Sequence, residues 1–501
     1  MRIADIVVIC AYLVLLPCVT LALSRRGGAQ DFLSAHHDLP WWAICLSLVA
    51  TETSTLTFIS VPGVGYTGGL VFAGLAGGYL IGRVVVAAWF LPLYARGAMT
   101  SAYQYLGERF GPRLQQVASG AFLATRLVAE GVRLLAGMLP LVWLLAQAGI
   151  PIGRAGLLCI IMAATLAYTM LGGLRAVVWS DTIQLALYLF GAVFCVVLLW
   201  PGMAGGGWHA AAMSGHLALF HHLGVRNALA DPFTPLAALL GGAILSVASH
   251  GTDQLMVQRL LAAGSLRSAR AALVGSAVLV GLLFGLLSLI GVQLWVAHGG
   301  ASLGQLGLHG PDDLFPRFIA TGLPAGFAGL LVAGVLSATM GSLSATLNAM
   351  AGVLLTDFGP APGRLFERIA GGLRLSGGPL AAARLATLFW AGALIVCALL
   401  LGHSDRSAVI IGLTVAGWSY GPTLGAFLFG MIAPRATARD AMAGLLAGLI
   451  GMAAFMETAQ VFGWRIAFPW LVPLGVIVML LAAWLSMVLG GARRAVPILD
   501  K

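Results

Sequence analysis

The chain has 501 residues, of which 60% are hydrophobic and only 9% are charged, with a formal net charge of +10. Because a soluble domain carries roughly 25% charged residues on its water-facing surface, this composition excludes an ordinary soluble globular protein. The six cysteines lie in apolar segments and form no CxxC pair, which argues against a disulfide framework and against a zinc site.

Thirteen apolar runs in the sequence are long enough to cross a bilayer, for which a helix needs about 20 residues. The first run lacks the basic leader and cleavage site of a signal peptide and is followed by Arg25-Arg26, so we expect a retained helix. We therefore predict an all-α integral membrane protein with about 13 transmembrane helices. The runs cover approximately residues 3–24, 40–66, 69–95, 114–147, 153–172, 176–203, 233–256, 268–298, 323–357, 381–402, 407–432, 438–462 and 467–490.

The basic residues predict the orientation of these spans. Three of the 27, Arg83, Arg126 and Arg133, lie deep inside predicted spans, away from the span ends. With the N-terminus outside, eighteen of the others, Arg259 among them, fall in cytoplasmic loops, and six fall outside: Arg2, Arg154, Arg226, Arg317, Arg406 and Arg465. This bias predicts an inner (plasma) membrane protein with a cytoplasmic C-terminus, and it explains the positive charge without a nucleic-acid partner.

The second run carries hydroxyl side chains from Thr51 to Thr57 around Glu52, with Pro62-Gly63 after them. Such residues weaken a helix, and an unwound stretch exposes carbonyl oxygens that a hard cation can use. The alternative is a kinked helix whose hydroxyls bond back to the preceding turn.

The fourth run carries Arg126, Glu130 and Arg133 on one helix face. They either satisfy one another or leave one arginine for an anionic group of a solute. Arg83 in the third run has no visible partner, and we assign it to helix pairing or snorkelling.

A second polar interruption follows five runs later, at Gly241-Gly242 and along residues 246–254. Interrupted spans at corresponding positions in two halves indicate a transport site and a 5+5 inverted repeat. The predicted division is 1–30 for a first helix outside the core, 40–203 and 233–432 for the two five-helix repeats, and 438–501 for two final helices and a tail.

The ninth run contains small and hydroxyl residues from Ser337 to Asn348. The stripe of Ser337, Gly341 and Ala345 favours a helix interface, whereas the hydroxyls of its serines and threonines could bind a cation.

Several motifs stand in order along nearly the whole chain. They are Asp31-Phe32 with residues 39–42, residues 61–63, 105–111, 168–181 with Gln184, 254–259, 312–316 with 323–324, the serine run ending at Leu347-Asn348, and residues 420–422. In these motifs the chain resembles the sodium:solute symporter family.

The resemblance implies a leucine-transporter-type fold and a sodium ion as the coupling ion. By position, its ligands would be the carbonyls of Ala50, Thr53 and Ala338 and the hydroxyl of Ser342, with Asp181 nearby. The chain departs from the family at Gly341, where a hydroxyl residue is usual, and at Glu52, where many members have an uncharged residue. We therefore expect another oxygen near Gly341, weaker sodium binding or a different cation, and Glu52 could carry protons.

We expect sodium-coupled symport of a small polar or anionic organic solute across the lipid bilayer by alternating access, and no enzyme activity. The alternatives are a proton-coupled symporter using Glu52 and Asp181, and a non-transporting membrane sensor module. The solute and the oligomeric state stay open. The residues expected to face the solute are Glu52, Ser54, Thr57, Arg133, Ser249 and His250.

Overall fold

The computed structural model describes residues 3–23, 39–95, 99, 101–147, 149–221, 227–372, 378–400, 408–464 and 466–494. The motif residues Asp31 and Phe32 lie outside this described part. So do nine of the basic residues used for the orientation, namely Arg2, Arg25, Arg26, Arg96, Arg226, Arg374, Arg406, Arg465 and Lys501. The predicted orientation therefore stays a prediction.

Helices make up nearly all of the described chain, as a bilayer requires of a backbone that must satisfy its own hydrogen bonds. In chain order they are α1 Ile3–Leu23, α2 Trp41–Glu52, α3 Thr55–Gly68, α4 Val71–Ala95, α5 Gln104–Phe110, α6 Pro112–Gln147, α7 Arg154–Gly202, α8 Trp208–Met213, α9 Ala237–Gly251, α10 Gln254–Leu261, α11 Leu266–Ala297, α12 Leu314–Thr321, α13 Phe327–Asp357, α14 Pro360–Gly372, α15 Pro379–Leu400, α16 Ala408–Ile432, α17 Ala438–Val461 and α18 Leu471–Arg494.

By length and hydropathy, eight helices of the described chain could cross a membrane, or nine if α2 and α3 count as one bent span. The all-helical membrane fold is confirmed, but the exact number of thirteen is not. One difference arises in α7, where the predicted spans 153–172 and 176–203 form one helical run interrupted at Gly173 (φ 57°, ψ −152°). Only glycine adopts such a conformation readily, so the chain bends there while its hydrogen-bonded helix continues on both sides.

Two further interruptions lie where the hydroxyl-rich segments predict them. α2 and α3 meet at 65°, with non-helical backbone at Thr53 (ψ 75°) and Ser54 (ψ 174°). The break between α9 and α10 is at Thr252 and Asp253, and the Asp253 carboxylate accepts a hydrogen bond from Leu255 N at 2.8 Å to cap α10.

The expectation that Gly241-Gly242 contributes to the second break is wrong, because both residues lie within helical backbone. Gly241 instead permits close packing, since a Cβ atom there would lie 2.6 Å from Cβ of Pro469. A small residue in a membrane helix is thus as consistent with helix contact as with a break.

Helix α13 is almost completely buried at the centre of the molecule, against α7, α6 and the bent pair. Its first turn is fixed by α1, because the Asp5 carboxylate accepts hydrogen bonds from Gly326 N at 2.7 Å and Gly329 N at 2.9 Å. The same two helices meet again where Ser337 Oγ donates to Tyr12 Oη at 2.7 Å. These contacts hold α13 at a fixed depth relative to its neighbours.

Candidate functional site

The break between α2 and α3 releases backbone oxygen from the helix. In a continuous helix Ser54 N would donate to Ala50 O, but here it donates to Glu52 O at 3.0 Å. The Ala50 carbonyl thereby loses its usual helical partner, as a carbonyl that binds a cation must. The side chain of Thr55, just beyond the break, meets that of Thr339 on α13, with 2.6 Å between the two hydroxyl oxygens.

On α13, Ser342 Oγ donates to the carbonyls of Ala338 and Thr339, both at 3.1 Å. Two of the expected sodium ligands, the Ala338 carbonyl and the Ser342 hydroxyl, are therefore in direct contact. The hydroxyl proton points to the carbonyls, which leaves the oxygen lone pairs available.

Asp181 on α7 lies between the bent pair, α10 and α13. Its Oδ2 accepts hydrogen bonds from Ser47 Oγ at 2.5 Å and from Arg259 Nη2 at 3.1 Å, and both charged side chains are completely buried. Arg259 was expected in a cytoplasmic loop. That expectation is wrong, because its guanidinium is the counter-ion of Asp181 and also donates through Nε to Ser47 Oγ at 2.8 Å.

The position of Gly341 is bordered by two oxygens of α7. A Cβ atom on Gly341 would lie 2.5 Å from Gln184 Oε1 and 3.3 Å from Asp181 Oδ1. Neither oxygen accepts a hydrogen bond from any residue in the described part of the chain, although both are buried. The side chain absent at Gly341 thus leaves two unsatisfied oxygens facing α13 at the level of Ser342.

All six residues expected to face a solute line one cavity. It contains about 740 Å³ of empty space, counting its open mouth. Its wall also includes aromatic side chains such as Phe72, Tyr79 and Phe284. The expected residues brought together there are Glu52, Ser54, Thr57, Arg133, Ser249 and His250.

Glu52 at the wall of this cavity is paired with Arg83, which also donates to Ser276 Oγ at 2.5 Å. Arg83 is completely buried, whereas 14% of the Glu52 side chain is exposed. The sequence does not show this pair, because its members lie on different helices. His250 Nε2 lies 3.8 Å from the same Glu52 oxygen.

The charged face of α6 is divided between two environments. Arg126 is buried in an ion pair with Asp253, whose Oδ2 also accepts from the Tyr420 hydroxyl. The idea that Arg126, Glu130 and Arg133 satisfy one another therefore fails for Arg126, whose partner comes from the second helix break.

Arg133 has a different status from the other buried arginines. Its Nη1 lies 3.6 Å from Glu130 Oε2, an ion-pair distance without a hydrogen bond. No described residue accepts a hydrogen bond from its guanidinium, and 18% of the side chain is exposed. This arginine keeps its donors available at the cavity wall.

Arg126, Asp253 and Tyr420 form what we call the partition, because they separate two cavities. Arg126 and Tyr420 line both the cavity described above and a second cavity of about 370 Å³ of empty space that reaches Tyr103 and Phe122. The sequence places Asp253 at a break and Tyr420 in a motif, but only the fold brings them to Arg126.

A family model described as "Sodium:solute symporter family" matches residues 32–448. The human sodium/iodide cotransporter is 30% identical over 86% of this chain and 65% of its own length. The sodium/sialic acid symporter SiaT of Proteus mirabilis is 26% identical over 86% of this chain and 84% of its own.

Solved structures are similar along the whole chain. The substrate-bound, outward-open state of a Na⁺-coupled sialic acid symporter superposes with a TM-score of 0.80 at 23% identity, covering 97% of this chain and 98% of the other. A nucleobase-cation symporter, Mhp1, in a closed conformation gives a TM-score of 0.55 at 14% identity over 92% and 95%. At these identities the structures show a shared transporter fold.

Proposed function

The chain belongs to the sodium:solute symporter family, and from that premise we propose that its cavity binds a small anionic organic solute through Arg133. It is a membrane-spanning, sodium-coupled transporter of a small molecule, and not an enzyme. What the proposal adds is the charge of the solute and the residue that binds it.

The free donors of Arg133 are the observation that carries the proposal. Arg83, Arg126 and Arg259 each donate a hydrogen bond to the carboxylate they pair with. Arg133 alone of these four makes no hydrogen bond within the described chain, and it lines the cavity that holds the other expected solute-facing residues. A planar guanidinium with free donors at a partly dry wall favours a carboxylate, which it can bind in bidentate fashion.

We propose that sodium binds among the carbonyls of Ala50, Thr53 and Ala338 and the hydroxyl of Ser342. The released Ala50 carbonyl and the available lone pairs of Ser342 support this set. Asp181 Oδ1 or Gln184 Oε1 would supply the oxygen that Gly341 lacks.

Proton coupling through Glu52 or Asp181 is disfavoured by their partners. Protonating either carboxylate would leave a buried guanidinium, Arg83 or Arg259, without its counter-ion, which is costly in a low-dielectric interior.

We also propose a plasma-membrane location with the N-terminus outside, supported by the arginine bias. The division into repeats at 40–203 and 233–432 is supported by a broken helix in each. Absence of a nucleic-acid partner stays a prediction.

The test is solute binding by purified protein in sodium and in choline buffers, using a panel of simple carboxylates and their neutral amides. We expect carboxylates to bind only in sodium, Arg133→Gln to weaken binding by about 100-fold or more, and Arg133→Lys to weaken it less. Equal binding of acids and amides, or unchanged affinity in Arg133→Gln, would overturn the proposal.

A further inference from the structure

We propose that Glu52 and His250 form a pair of hydrogen-bond acceptors that selects solutes bearing neutral hydroxyl donors. The inference rests on the proposed function, because it describes the other end of a solute whose acidic group is at Arg133. The substrate class is then a hydroxylated carboxylate, in preference to a plain carboxylate or a zwitterionic amino acid.

The hydrogen bonds of His250 determine which ring nitrogen carries the proton. Ser249 Oγ lies 3.3 Å from Ser246 O and 2.9 Å from His250 Nδ1, and either atom of the second contact can be the donor. Because the hydroxyl has a single proton, both contacts are hydrogen bonds only when Nδ1 donates to Ser249 Oγ, and we assign that tautomer. Nδ1 therefore carries the proton and Nε2 keeps its lone pair. Nε2 is buried and accepts no hydrogen bond from any described residue, in a side chain only 1% exposed.

Glu52 is held opposite as a second acceptor. Its Oε2 accepts from Arg83 and lies 3.8 Å from His250 Nε2, too far and of the wrong type for the two to bond to each other. Both residues line the cavity. His250 Nε2 still lacks a donor, and the Glu52 carboxylate can accept a further hydrogen bond. A single hydroxyl of a solute can serve one of these acceptors, and two neighbouring hydroxyls can serve both.

The charge of this wall decides which donor fits. Arg83 is completely buried beside Glu52 and compensates its charge, so the wall is neutral although it is rich in acceptors. An ammonium group would bring an unpaired positive charge next to Arg83, whereas a hydroxyl satisfies the acceptors without adding charge. Arg83 acts here as a positioning residue, because it fixes the Glu52 carboxylate and reaches no solute itself.

The experiment measures dissociation constants of the purified full chain in sodium for matched acids of two to six carbons. Each set contains a plain acid, a hydroxy acid and an amino acid, from acetate, glycolate and glycine to hexanoate, gluconate and norleucine. We expect the best hydroxy acid to bind at least about tenfold more tightly than its two counterparts, because a buried acceptor left without a donor is costly.

Two substitutions of His250 test the source of this preference. Asparagine reaches only as far as Nδ1, whereas glutamine places an acceptor near the position of Nε2. His250→Asn should reduce the preference for hydroxy acids to less than about threefold, and His250→Gln should retain it. Equal loss in both variants would mean that His250 is only structural here, and would overturn the inference.

The other outcomes separate this inference from the proposed function. Equal affinity for plain and hydroxy acids is the result expected if a water molecule occupies the space of the solute hydroxyl. That result, or a preference for amino acids, would overturn the acceptor pair but would not affect the proposed role of Arg133. Sorbitol binding as tightly as gluconate overturns the role of Arg133 and leaves the acceptor pair. If none of the acids binds in sodium, both are overturned.

Discussion

The Ser342 hydroxyl shows how one side chain can serve both a helix and an ion. Its proton is shared between the carbonyls of Ala338 and Thr339, at 3.1 Å each, so its lone pairs point away from the helix backbone. A sodium ion bound there would use an oxygen that costs no rearrangement of α13. The hydrogen bonding to Ala338 and Thr339 keeps the Ser342 hydroxyl from disturbing the helix, and it also orients the lone pairs of the hydroxyl oxygen.

Ser342→Ala should raise the sodium concentration needed for half-maximal solute binding by about tenfold, because one of few oxygen ligands is lost. Titrating sodium against thermal stability or solute binding measures the effect. The matched control is Thr387→Val on α15, which removes another buried hydroxyl that donates to the helix turn before it, Ala383 O at 2.9 Å. The same sodium response in both variants would exclude Ser342 from the ion site.

Helix α7 carries its bend on a single residue. Gly173 has φ 57° and ψ −152° within an otherwise helical run, and Asp181 lies two turns beyond it. The direction of the second half of α7 therefore depends on a backbone conformation that is unfavourable for any residue with a side chain. The position of the Asp181 carboxylate depends on it in the same way.

Gly173→Ala should destabilise the protein by about 1–3 kcal/mol, since alanine must enter a region of backbone space used almost only by glycine. Thermal unfolding in detergent would show it. The control is Gly172→Ala at the neighbouring position, which has helical backbone and where alanine should be neutral or slightly stabilising. An unchanged melting temperature in Gly173→Ala would show that α7 straightens without cost.

The sequence predicts those elements whose signal is local. The breaks at Thr53–Ser54 and Thr252–Asp253 follow from polar side chains inside apolar runs, which are expensive unless they serve a purpose. Gly241 also suggests a helix break when it is read from the sequence, but in the structure this glycine allows Pro469 to pack closely against a continuous helix.

Partners distant in the sequence could not be predicted in this way. Arg259 and Asp181 are 78 residues apart and Arg126 and Asp253 are 127 apart, so only the packing of the helices pairs them. The six residues expected to face a solute could be predicted to lie close together, as they do in one cavity, because each lies near a break or on the charged face of α6. The sequence could not show which arginine keeps its hydrogen-bond donors unused, because that depends on the pairs that all four make in the fold.

At the scale of the whole molecule, the positive and negative side chains around the cavity and the proposed ion site are equal in number. Four carboxylates and four guanidiniums pair one to one, as Glu52–Arg83, Asp253–Arg126, Glu130–Arg133 and Asp181–Arg259. A neutral interior is the arrangement that a low-dielectric environment favours. One sodium ion entering with one monoanion preserves it, whereas either ion alone does not.

We therefore expect transport of a monoanion to be nearly insensitive to membrane potential, which acts only on net charge moved across the bilayer. Uptake into proteoliposomes under potassium diffusion potentials set with valinomycin measures this, with sodium and solute gradients held constant. A clear acceleration by an inside-negative potential would show that more than one sodium ion accompanies each solute molecule.

The partition of Arg126, Asp253 and Tyr420 affects how a molecule can pass between the two cavities. Its ionic groups are 5% and 1% exposed, so they are dry while they hold each other. Parting them without a substitute would strand two opposite charges in the interior, and the nearest substitute is bulk solvent. If the partition opens during transport, we therefore expect water to enter the pathway and solvate Arg126 and Asp253 as they separate.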